Sequence, residues 1–472
     1  MIRDYRLSEL AEMLGGELRG DDQCVSGISI DSRNISPGDL FIAIRGPKFD
    51  GHAYLQQAVE AGAVAVLVQD AEKAQTLTAI VVSDTFAALG MIGQYNRSNF
   101  NHPVLAITGS CGKTSVKEML AAICSEEEPT LATEGNLNNA FGAPLTLSRI
   151  GSRHGFAVIE LGTSSPGEIQ YIAELTSPDV SVITNAAEAH LDKLVSVEGV
   201  AQEKGFILDD LKPDGVAVLN LDDVFFEQWQ QRATGAQRAR KVISFSLENP
   251  AADCYASGIE STAQGMVFRL HISGRTADIG IAFWGAHQVQ NACCAAAAAF
   301  AAGISVDSII KGLENARPFQ RRGQRYQMSD HSLVIDETYN ANPRATLAAL
   351  DQLAECQGIR VMVFGDMLDL GSVVEARHRE VGEYARHLGI DYFAGYGPAA
   401  RLAVEEFGEA GRHFDGKEAL STWVSALLNA PADKRNNPDK AEQTTVLVKG
   451  SRGMEMLDIV RTLVGPQYKG ER

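Results

Sequence analysis

Short apolar runs alternate with helical patterns through the first hundred residues. Strands are predicted at 28–30, 40–44 and 63–68, and helices at 54–61 and 85–97. The polar stretch 97–103, which ends in Pro103, then breaks the pattern. We therefore predict a domain boundary near residue 98.

A second alternation of strands and helices begins at Val104. The uninterrupted apolar run 104–108 is typical of a parallel strand buried on both faces, and 114–123 has apolar residues at helical spacing. Further strands are predicted at 156–161, 180–184 and 216–220, short β-like runs within 241–285, and a tightly packed Ala-rich helix at 291–302. The turn 317–323 predicts a second boundary, near residue 316.

The remaining residues repeat the alternation, with strands predicted at 333–336, 360–364, 391–394 and 445–448. Such alternation favours parallel sheets with helices on both faces. The sequence thus predicts an α/β protein of three domains, 1–98, 99–316 and 317–472.

Composition narrows the class of protein. Of 472 residues, 45% are apolar and 22% charged, which is ordinary for a globular chain with more than one core and excludes a disordered or fibrous one. No apolar run is long enough to cross a bilayer, and residues 1–20 contain no stretch typical of a signal peptide. We expect a cytoplasmic protein without a membrane span.

Charge and cysteine content exclude two further classes. The net charge is −18 and no basic run occurs, so we expect no nucleic-acid partner. The cysteine count, seven, is odd and no C-x-x-C pair is present, which argues against a disulfide framework or a structural zinc site.

The strongest chemical signal is a Gly-rich turn between the strand at 104–108 and the following helix. Compared with the P-loop pattern G-x-x-x-x-G-K-[ST], Ile107 replaces the first glycine, which leaves G-x-x-G-K-T. The turn residues Gly109, Ser110, Cys111 and Gly112 are predicted to bind nucleotide phosphates through their backbone, and the Cys111 thiol is interpreted as a bystander. Lys113 would reach the outer phosphates and Thr114 would ligate Mg²⁺, although an ordinary βα turn is the alternative.

Three other polar residues follow predicted strands or lie on a helix of the central domain. Glu160 ends a strand, where α/β proteins place ligands, and could hold Mg²⁺ or be a surface acid. His190 follows a strand and a turn, and a lone histidine is more often structural than a ligand. The local pattern around Lys204 predicts a solvated helix lysine.

Three loops carry weaker signals. Asn138, in a Gly-flanked Asn cluster, is compatible with plain turn chemistry. Asp336 ends a strand and opens an Asn-rich loop that includes Asn340, which suits either ribose binding or a simple connection. Lys449 begins a cationic turn after the last strand and could be a substrate contact or a solvated loop residue.

Together these phrases resemble the Mur ligases, the ATP-dependent amino-acid ligases of peptidoglycan synthesis, over nearly the whole chain. The phrases that carry the resemblance are TGSCGKTSVKEM, NLNNAFGAPLT, ELGT, AHL, DETYNAN, GDMLDLG and VKGSR. The resemblance implies a small α/β N-terminal domain, a central P-loop ATPase domain with a parallel sheet, and a C-terminal Rossmann-like ligase domain.

The resemblance also implies roles for particular residues. Ser32 and Arg33 of the first domain would bind the uridine diphosphate end of the substrate, with Asn138 and Lys449 as further substrate contacts. Lys113 and Thr114 would hold the γ-phosphate and Mg²⁺, and Glu160 and His190 would coordinate Mg²⁺. Lys204 falls where the family has a carbamylated lysine. Asn291 would lie by adenine, and Asp336 and Asn340 by ribose and phosphates.

The activity implied by the resemblance is addition of D-alanyl-D-alanine to UDP-N-acetylmuramoyl-tripeptide through an acyl phosphate. ATP and Mg²⁺ would be required, and the reaction would serve cell-wall synthesis, cell shape and cell division. We expect a monomer. The alternatives are another ligase of this type, such as a folate polyglutamylating enzyme, a P-loop kinase, and a nucleotide-dependent binding protein without catalysis.

Overall fold

The computed structural model describes residues 1–46, 49–235, 240–329, 331–429 and 443–468. Its first part contains β1 (Tyr5–Arg6), α1 (Leu7–Met13), β2 (Glu17–Arg19), β3 (Cys24–Val25), β4 (Gly27–Ser29), β5 (Asp39–Ile42), α2 (Leu55–Glu60), β6 (Ala65–Val68), α3 (Ala71–Ala74), β7 (Ala79–Val81) and α4 (Thr85–Ser98). The main sheet has the order β2-β7-β6-β5-β4, parallel except for β2, and β1 pairs with β3 separately.

The central part is built on a nine-stranded sheet of order β16-β15-β14-β13-β12-β11-β8-β10-β9. Its elements are β8 (Val104–Thr108), α5 (Lys113–Cys124), β9 (Thr130–Ala132), α6 (Gly142–Ser148), β10 (Phe156–Glu160), α7 (Glu168–Thr176), β11 (Val180–Ile183), α8 (Leu191–Leu194), α9 (Val197–Gly205), β12 (Val216–Asn220), α10 (Phe226–Thr234), β13 (Lys241–Phe245), β14 (Cys254–Thr262), β15 (Gly265–Ile272), β16 (Arg275–Ile281), α11 (Ala286–Ala301) and α12 (Val306–Asn315).

The strand β8 shows why this sheet is buried on both faces. Leu105 and Ile107 pack into a core with α5 and α11, whereas Val104 and Ala106 pack into a second core with α6 and α7. Successive side chains of a strand point to opposite faces, so a strand covered on both sides is apolar at every position.

The last part contains β17 (Gln324–Ser329), β18 (Ser332–Glu337), α13 (Pro343–Ala354), β19 (Ile359–Gly365), α14 (Val374–His387), β20 (Tyr392–Tyr396), α15 (Ala400–Phe407), β21 (Gly411–Phe414), α16 (Lys417–Leu428), β22 (Thr444–Lys449) and α17 (Leu457–Val464). Its sheet has the order β17-β18-β22-β19-β20-β21, and only β17 is antiparallel to its neighbour. Short 3₁₀ helices lie at Gly51–Tyr54, Phe206–Leu208, Gly371–Val373, Arg452–Met454 and Gly465–Gln467.

The structure confirms the α/β class and adds antiparallel strands to it. The β-like region after residue 241 extends the central sheet by the hairpins β14–β15 and β15–β16. The Ala-rich helix α11 begins at Ala286, so the predicted start at residue 291 is wrong. No helix in the described segments has the length and apolarity required to cross a bilayer.

Candidate active site

The Gly-rich turn lies between β8 and α5 and needs both of its glycines. The backbone has φ 153° at Gly109 and 84° at Gly112. A Cβ at Gly109 would collide with the Thr184 hydroxyl, and one at Gly112 with the Asn291 amide oxygen. Gly112, at the N-cap of α5, has no side chain, and no described side chain caps this end of the helix. Its first N–H groups are therefore available to an anionic ligand.

A second loop, residues 184–190 after β11, supports this turn by hydrogen bonds. The Ser110 N–H donates to the Asn185 carbonyl at 3.0 Å, and the Cys111 N–H donates to Asn185 Oδ1 at 3.0 Å. The Ser110 hydroxyl donates to the Ala187 carbonyl, also at 3.0 Å. The turn is thus preorganised by hydrogen bonds to the backbone of the neighbouring loop and to the Asn185 side chain.

Lys113 points back over the turn. Its Nζ donates to the Gly109 carbonyl at 2.6 Å. Desolvation lowers the pKa of Lys113, and the nearby Glu160 carboxylate opposes that shift. A phosphate would satisfy the remaining donors of the ammonium.

Glu160 and Thr114 each carry a buried side-chain oxygen without a hydrogen-bond partner among the described residues. Glu160 is 1% exposed, and its Oε1 accepts a 2.7 Å hydrogen bond from Asn138 Nδ2. Glu160 Oε2 and Thr114 Oγ1 are buried and unpaired in the described part of the chain. Hard oxygens of this kind suit Mg²⁺, which usually keeps waters and substrate oxygens as its other ligands. No group of three or more His, Cys, Asp or Glu side chains that could hold a metal lies among the described residues.

His190 stands at the start of α8 in a left-handed conformation, with φ 56°. Its Nδ1 lies 4.0 Å from Asp369 Oδ2, and its side chain is about a third exposed. Desolvation, Lys113 and Lys204 all lower the pKa of His190. A neutral imidazole is favoured, which is the form that binds metals.

The structure contradicts the expectation, drawn from the local sequence pattern, that Lys204 is solvated. The residue lies on α9, which packs against α7 and α8, and it is 2% exposed rather than solvated. Desolvation and then repulsion by Lys113 lower the pKa of Lys204 to about 7. Local periodicity could not show this, because tertiary packing and not the helix itself covers the side chain.

The third domain contributes residues from the ends of β18 and β22. Lys449 is 2% exposed and donates to Glu337 Oε2 at 3.3 Å and to the Asn340 carbonyl at 3.1 Å. Asp336 is fully buried, where its Oδ1 accepts from the Thr338 N–H and hydroxyl. Desolvation raises the pKa of Asp336.

The central and third domains enclose one cavity of about 540 Å³. The predicted site residues that line it are Ser110, Cys111, Gly112, Lys113, Asn138, Glu160, His190, Asn291, Asn340 and Lys449. Gly109, Thr114, Lys204 and Asp336 are not in its wall. The structure therefore brings together most of the residues predicted from separate loops.

Ser32 and Arg33 stand apart from this cavity, on the first domain. The Ser32 hydroxyl donates to Gln57 Oε1 at 3.4 Å, and the Arg33 guanidinium is exposed and lies 2.7 Å from Asp31. Their distance from the other candidates fits a ligand that spans more than one domain.

Sequence reasoning missed several polar residues of the cavity wall, among them Arg322, Glu337, Tyr339, Arg344, Asp369 and Arg452. The Arg322 guanidinium lies over the Tyr339 ring, 4.0 Å from its centroid. The Arg-rich turn at 317–323 was interpreted only as a domain boundary. Its two adjacent arginines beside a glycine were the signal that could have marked an anion contact.

A P-loop-like turn at the carboxyl end of a parallel sheet faces cations from a second α/β domain across one cavity. This arrangement defines a multidomain nucleotide-binding enzyme. Three family models match the chain: "Mur ligase family, catalytic domain" at 24–101, "Mur ligase middle domain" at 107–299, and "Mur ligase, glutamate ligase domain" at 321–452. The chain belongs to the Mur ligase family, with its three-domain architecture.

Individual relatives match along nearly their whole length. The UDP-N-acetylmuramoyl-tripeptide–D-alanyl-D-alanine ligase of Escherichia coli is 39% identical over 97% of this chain and 98% of the relative. A crystal structure of MurF from Acinetobacter baumannii has a TM-score of 0.90 and 32% identity, covering 98% of this chain and 99% of that one. The MurF ligase of Thermotoga maritima in complex with ADP, 22% identical over 93% and 97%, shares the fold with a TM-score of 0.79.

Proposed function

We propose that this protein is an ATP-dependent ligase that joins D-alanyl-D-alanine to UDP-N-acetylmuramoyl-tripeptide in cytoplasmic peptidoglycan precursor synthesis. The observation that carries the proposal is that the phosphate-binding turn, Glu160 with Asn138, and Lys449 of the third domain face one another in a shared cavity. The identity of 39% with the Escherichia coli ligase along the whole chain supports this substrate pair.

The reaction proceeds in two steps. A carboxylate oxygen of the tripeptide attacks the γ-phosphorus of ATP, the bond to the β–γ bridging oxygen breaks, and ADP leaves. The amine of D-alanyl-D-alanine then attacks the acyl phosphate, loses a proton, and expels inorganic phosphate from a tetrahedral intermediate. Transfer of a phosphoryl group needs mainly positioning and charge stabilisation, which are the roles of the turn and of Lys113.

Mg²⁺ would be held by Thr114 Oγ1 and Glu160 Oε2, which are buried and unpaired among the described residues, together with His190. Lys204, as a carbamate, would add an anionic oxygen donor. When bound, the ion neutralises charge on phosphate oxygens. The fit rests on hard donors that have no other partner among the described residues.

The remaining contacts follow from position in the cavity. Asn291, beside Gly112, would lie by adenine, and Asn340 would contact ribose and phosphates. Asn138 and Lys449 would bind the peptide substrates, and Ser32 and Arg33 the uridine diphosphate. The ribose contact of Asp336 stays a prediction, because its carboxyl lies beneath the cavity wall. The boundaries near 98 and 316 and a monomeric state also stay predictions.

The proposal is tested by incubating the protein with ATP, UDP-N-acetylmuramoyl-tripeptide and D-alanyl-D-alanine. We expect ADP, phosphate, and a product heavier than the tripeptide substrate by one dipeptide less water. Product formed instead from a folate and glutamate would assign a different ligase. Phosphorylated substrate without dipeptide transfer would indicate a kinase, and nucleotide binding without turnover a binding protein.

A further inference from the structure

The loop between β11 and α8 connects the phosphate-binding turn to the third domain. Its Ala187 N–H donates to the Ser110 hydroxyl at 2.9 Å, and its Asn185 carbonyl accepts from the Ser110 N–H. Glu188 follows Ala187 directly, and His190 stands two residues further on. The position of Glu188 therefore affects the positions of both the phosphate turn and His190.

Glu188 is held by Arg377, a residue of α14 in the third domain. Arg377 Nη2 donates to Glu188 Oε1 at 2.6 Å, and Arg377 Nε lies 2.6 Å from Glu188 Oε2. Arg377 Nη1 donates to Glu380 Oε2 at 2.7 Å on its own helix. Hydrogen bonding to Glu188 and then to Glu380 raises the pKa of Arg377. The guanidinium thus makes one hydrogen bond to the Glu188 carboxylate and an ion-pair contact with its second oxygen, which together restrict orientation as well as distance.

A second contact between the central and third domains lies at Leu191, three residues after Glu188. The Leu191 N–H donates to the Asp369 carbonyl at 3.0 Å. His190 and Asp369, which face each other here, both have left-handed backbones, with φ 56° and 62°. Non-glycine residues keep such conformations only where surrounding contacts impose them. The junction thus holds strained backbone on both of its sides.

We infer that Glu188 and Arg377 form an interdomain clamp that positions the His190 loop and the phosphate turn against the third domain. Both residues are positioning residues, since neither lines the cavity. The inference rests on the proposed function in one respect: an acyl phosphate must survive until the amine arrives. A loosened junction would admit water, and phosphate would be released without a peptide bond.

The helix α14 provides a matched control for testing the clamp. Arg379 lies two residues from Arg377, but its Nη1 donates to Glu406 Oε1 at 2.7 Å within the third domain. We would compare Arg377→Ala, Glu188→Ala, the double variant and Arg379→Ala. Each would be checked by its melting temperature, with Arg377→Lys used if Arg377→Ala fails to fold, because Lys keeps the charge but loses the fork.

The decisive readout is the number of phosphates released per peptide bond formed. The ratio should be near one for the parent and Arg379→Ala, and rise to about two or more for Arg377→Ala and Glu188→Ala. The double variant should be no worse than either single variant, because one shared contact is lost. The inference would be overturned if Arg377→Ala and Glu188→Ala both had the same kcat, and the same ratio of phosphate to peptide bonds, as Arg379→Ala.

Hydrogen–deuterium exchange of residues 188–194 without substrates separates the clamp from the proposed function. Arg377→Ala should exchange several-fold faster there than the parent and Arg379→Ala, because the Leu191 N–H loses protection. Equal exchange in all three proteins would overturn the clamp. If the parent forms no product from the muramoyl-tripeptide and the dipeptide, the proposed function fails, and the exchange result alone decides on the clamp.

Discussion

Lys113 and Lys204 place two lysine side chains close together at one end of the central sheet. Desolvation lowers the pKa of both lysines and of His190. Lys113 lowers the pKa of Lys204 further, and both lysines lower that of His190 further. Such a concentration of buried positive charge is costly unless anions bind beside it. Nucleotide phosphates and a carbamate are two anionic groups that would compensate it.

Lys113→Ala should abolish turnover without unfolding the protein. Among the described residues the side chain makes one hydrogen bond, to the Gly109 carbonyl, so its loss should cost little stability. Loss of a positioned cation at the transferring phosphoryl group should lower kcat by about 100-fold or more. Phosphate release at saturating ATP and the melting temperature are the measurements. Near-normal phosphate release would show that the turn does not serve ATP.

Lys204 should be carbamylated, which turns a buried cation into a hard anionic ligand. With its pKa lowered to about 7, the neutral amine, which can add carbon dioxide, is accessible at neutral pH. Lys204→Ala should therefore be nearly inactive, and acetate added to the assay should restore part of the rate. Measured rates with and without acetate test this.

Lys193 is the matched control for Lys204. It lies on the neighbouring helix α8, is exposed, and donates to Ser165 Oγ at 3.1 Å. Lys193→Ala should keep the parent rate and should not respond to acetate. If Lys204→Ala is as active as the parent, Lys204 is a buried structural lysine without a catalytic role.

At the scale of elements, the carboxyl end of α6 is completed by a side chain from α4. Asn96 is fully buried, and its Nδ2 contacts the carbonyls of Leu147, Ser148 and Ile150 at 2.9, 3.2 and 2.9 Å. Its Oδ1 accepts from the Ile2 N–H at 2.8 Å. The last carbonyls of a helix have no partner within it, so this amide satisfies groups that burial would otherwise make costly.

Asn96→Ala should lower the free energy of unfolding by about 2–4 kcal/mol, because several buried polar groups lose their partner at once. Asn99, at the end of the same helix, provides the control. It is exposed and donates only to the Tyr95 carbonyl at 2.7 Å among described residues. Asn99→Ala should change stability by less than about 0.5 kcal/mol. Equal urea midpoints for the two variants would refute this account of α6.

The sequence patterns located best the strands that are buried on both faces. The predicted strand at 104–108 has the bounds of β8, and the strand predicted at 216–220 has those of β12, because both faces are covered and every residue except the last is apolar. The two-residue strands β1 and β3 were not predicted, since two residues are too few to show an alternation of apolar and polar positions. The hairpins β14–β15 and β15–β16 were seen only as β-like runs, because polar residues interrupt their apolar ones.

At the scale of the molecule, candidate residues at strand ends were predictable, whereas contacts between domains were not. Glu160 and Lys449 follow apolar strands, and parallel sheets place strand ends at one edge. Arg322 and Asp369 belong to the cavity only because two domains meet there. The pairing of Glu188 with Arg377 joins residues 189 positions apart, which no local spacing reveals.

Ligands should compact the whole protein, because the residues proposed to bind them lie on separate domains. Ser32 and Arg33 are on the first domain, the phosphate turn on the second and Lys449 on the third, so one set of bound substrates would bridge all three. Small-angle scattering should give a radius of gyration of about 23 Å or more for the ligand-free protein. With an ATP analogue and the muramoyl-tripeptide bound, the radius should be smaller by roughly 1 Å. The ATP analogue alone should give a smaller decrease in the radius of gyration, and Lys113→Ala should reduce that decrease further. An unchanged profile with both ligands saturating would mean that the domains are already fixed and that closure is not part of the cycle.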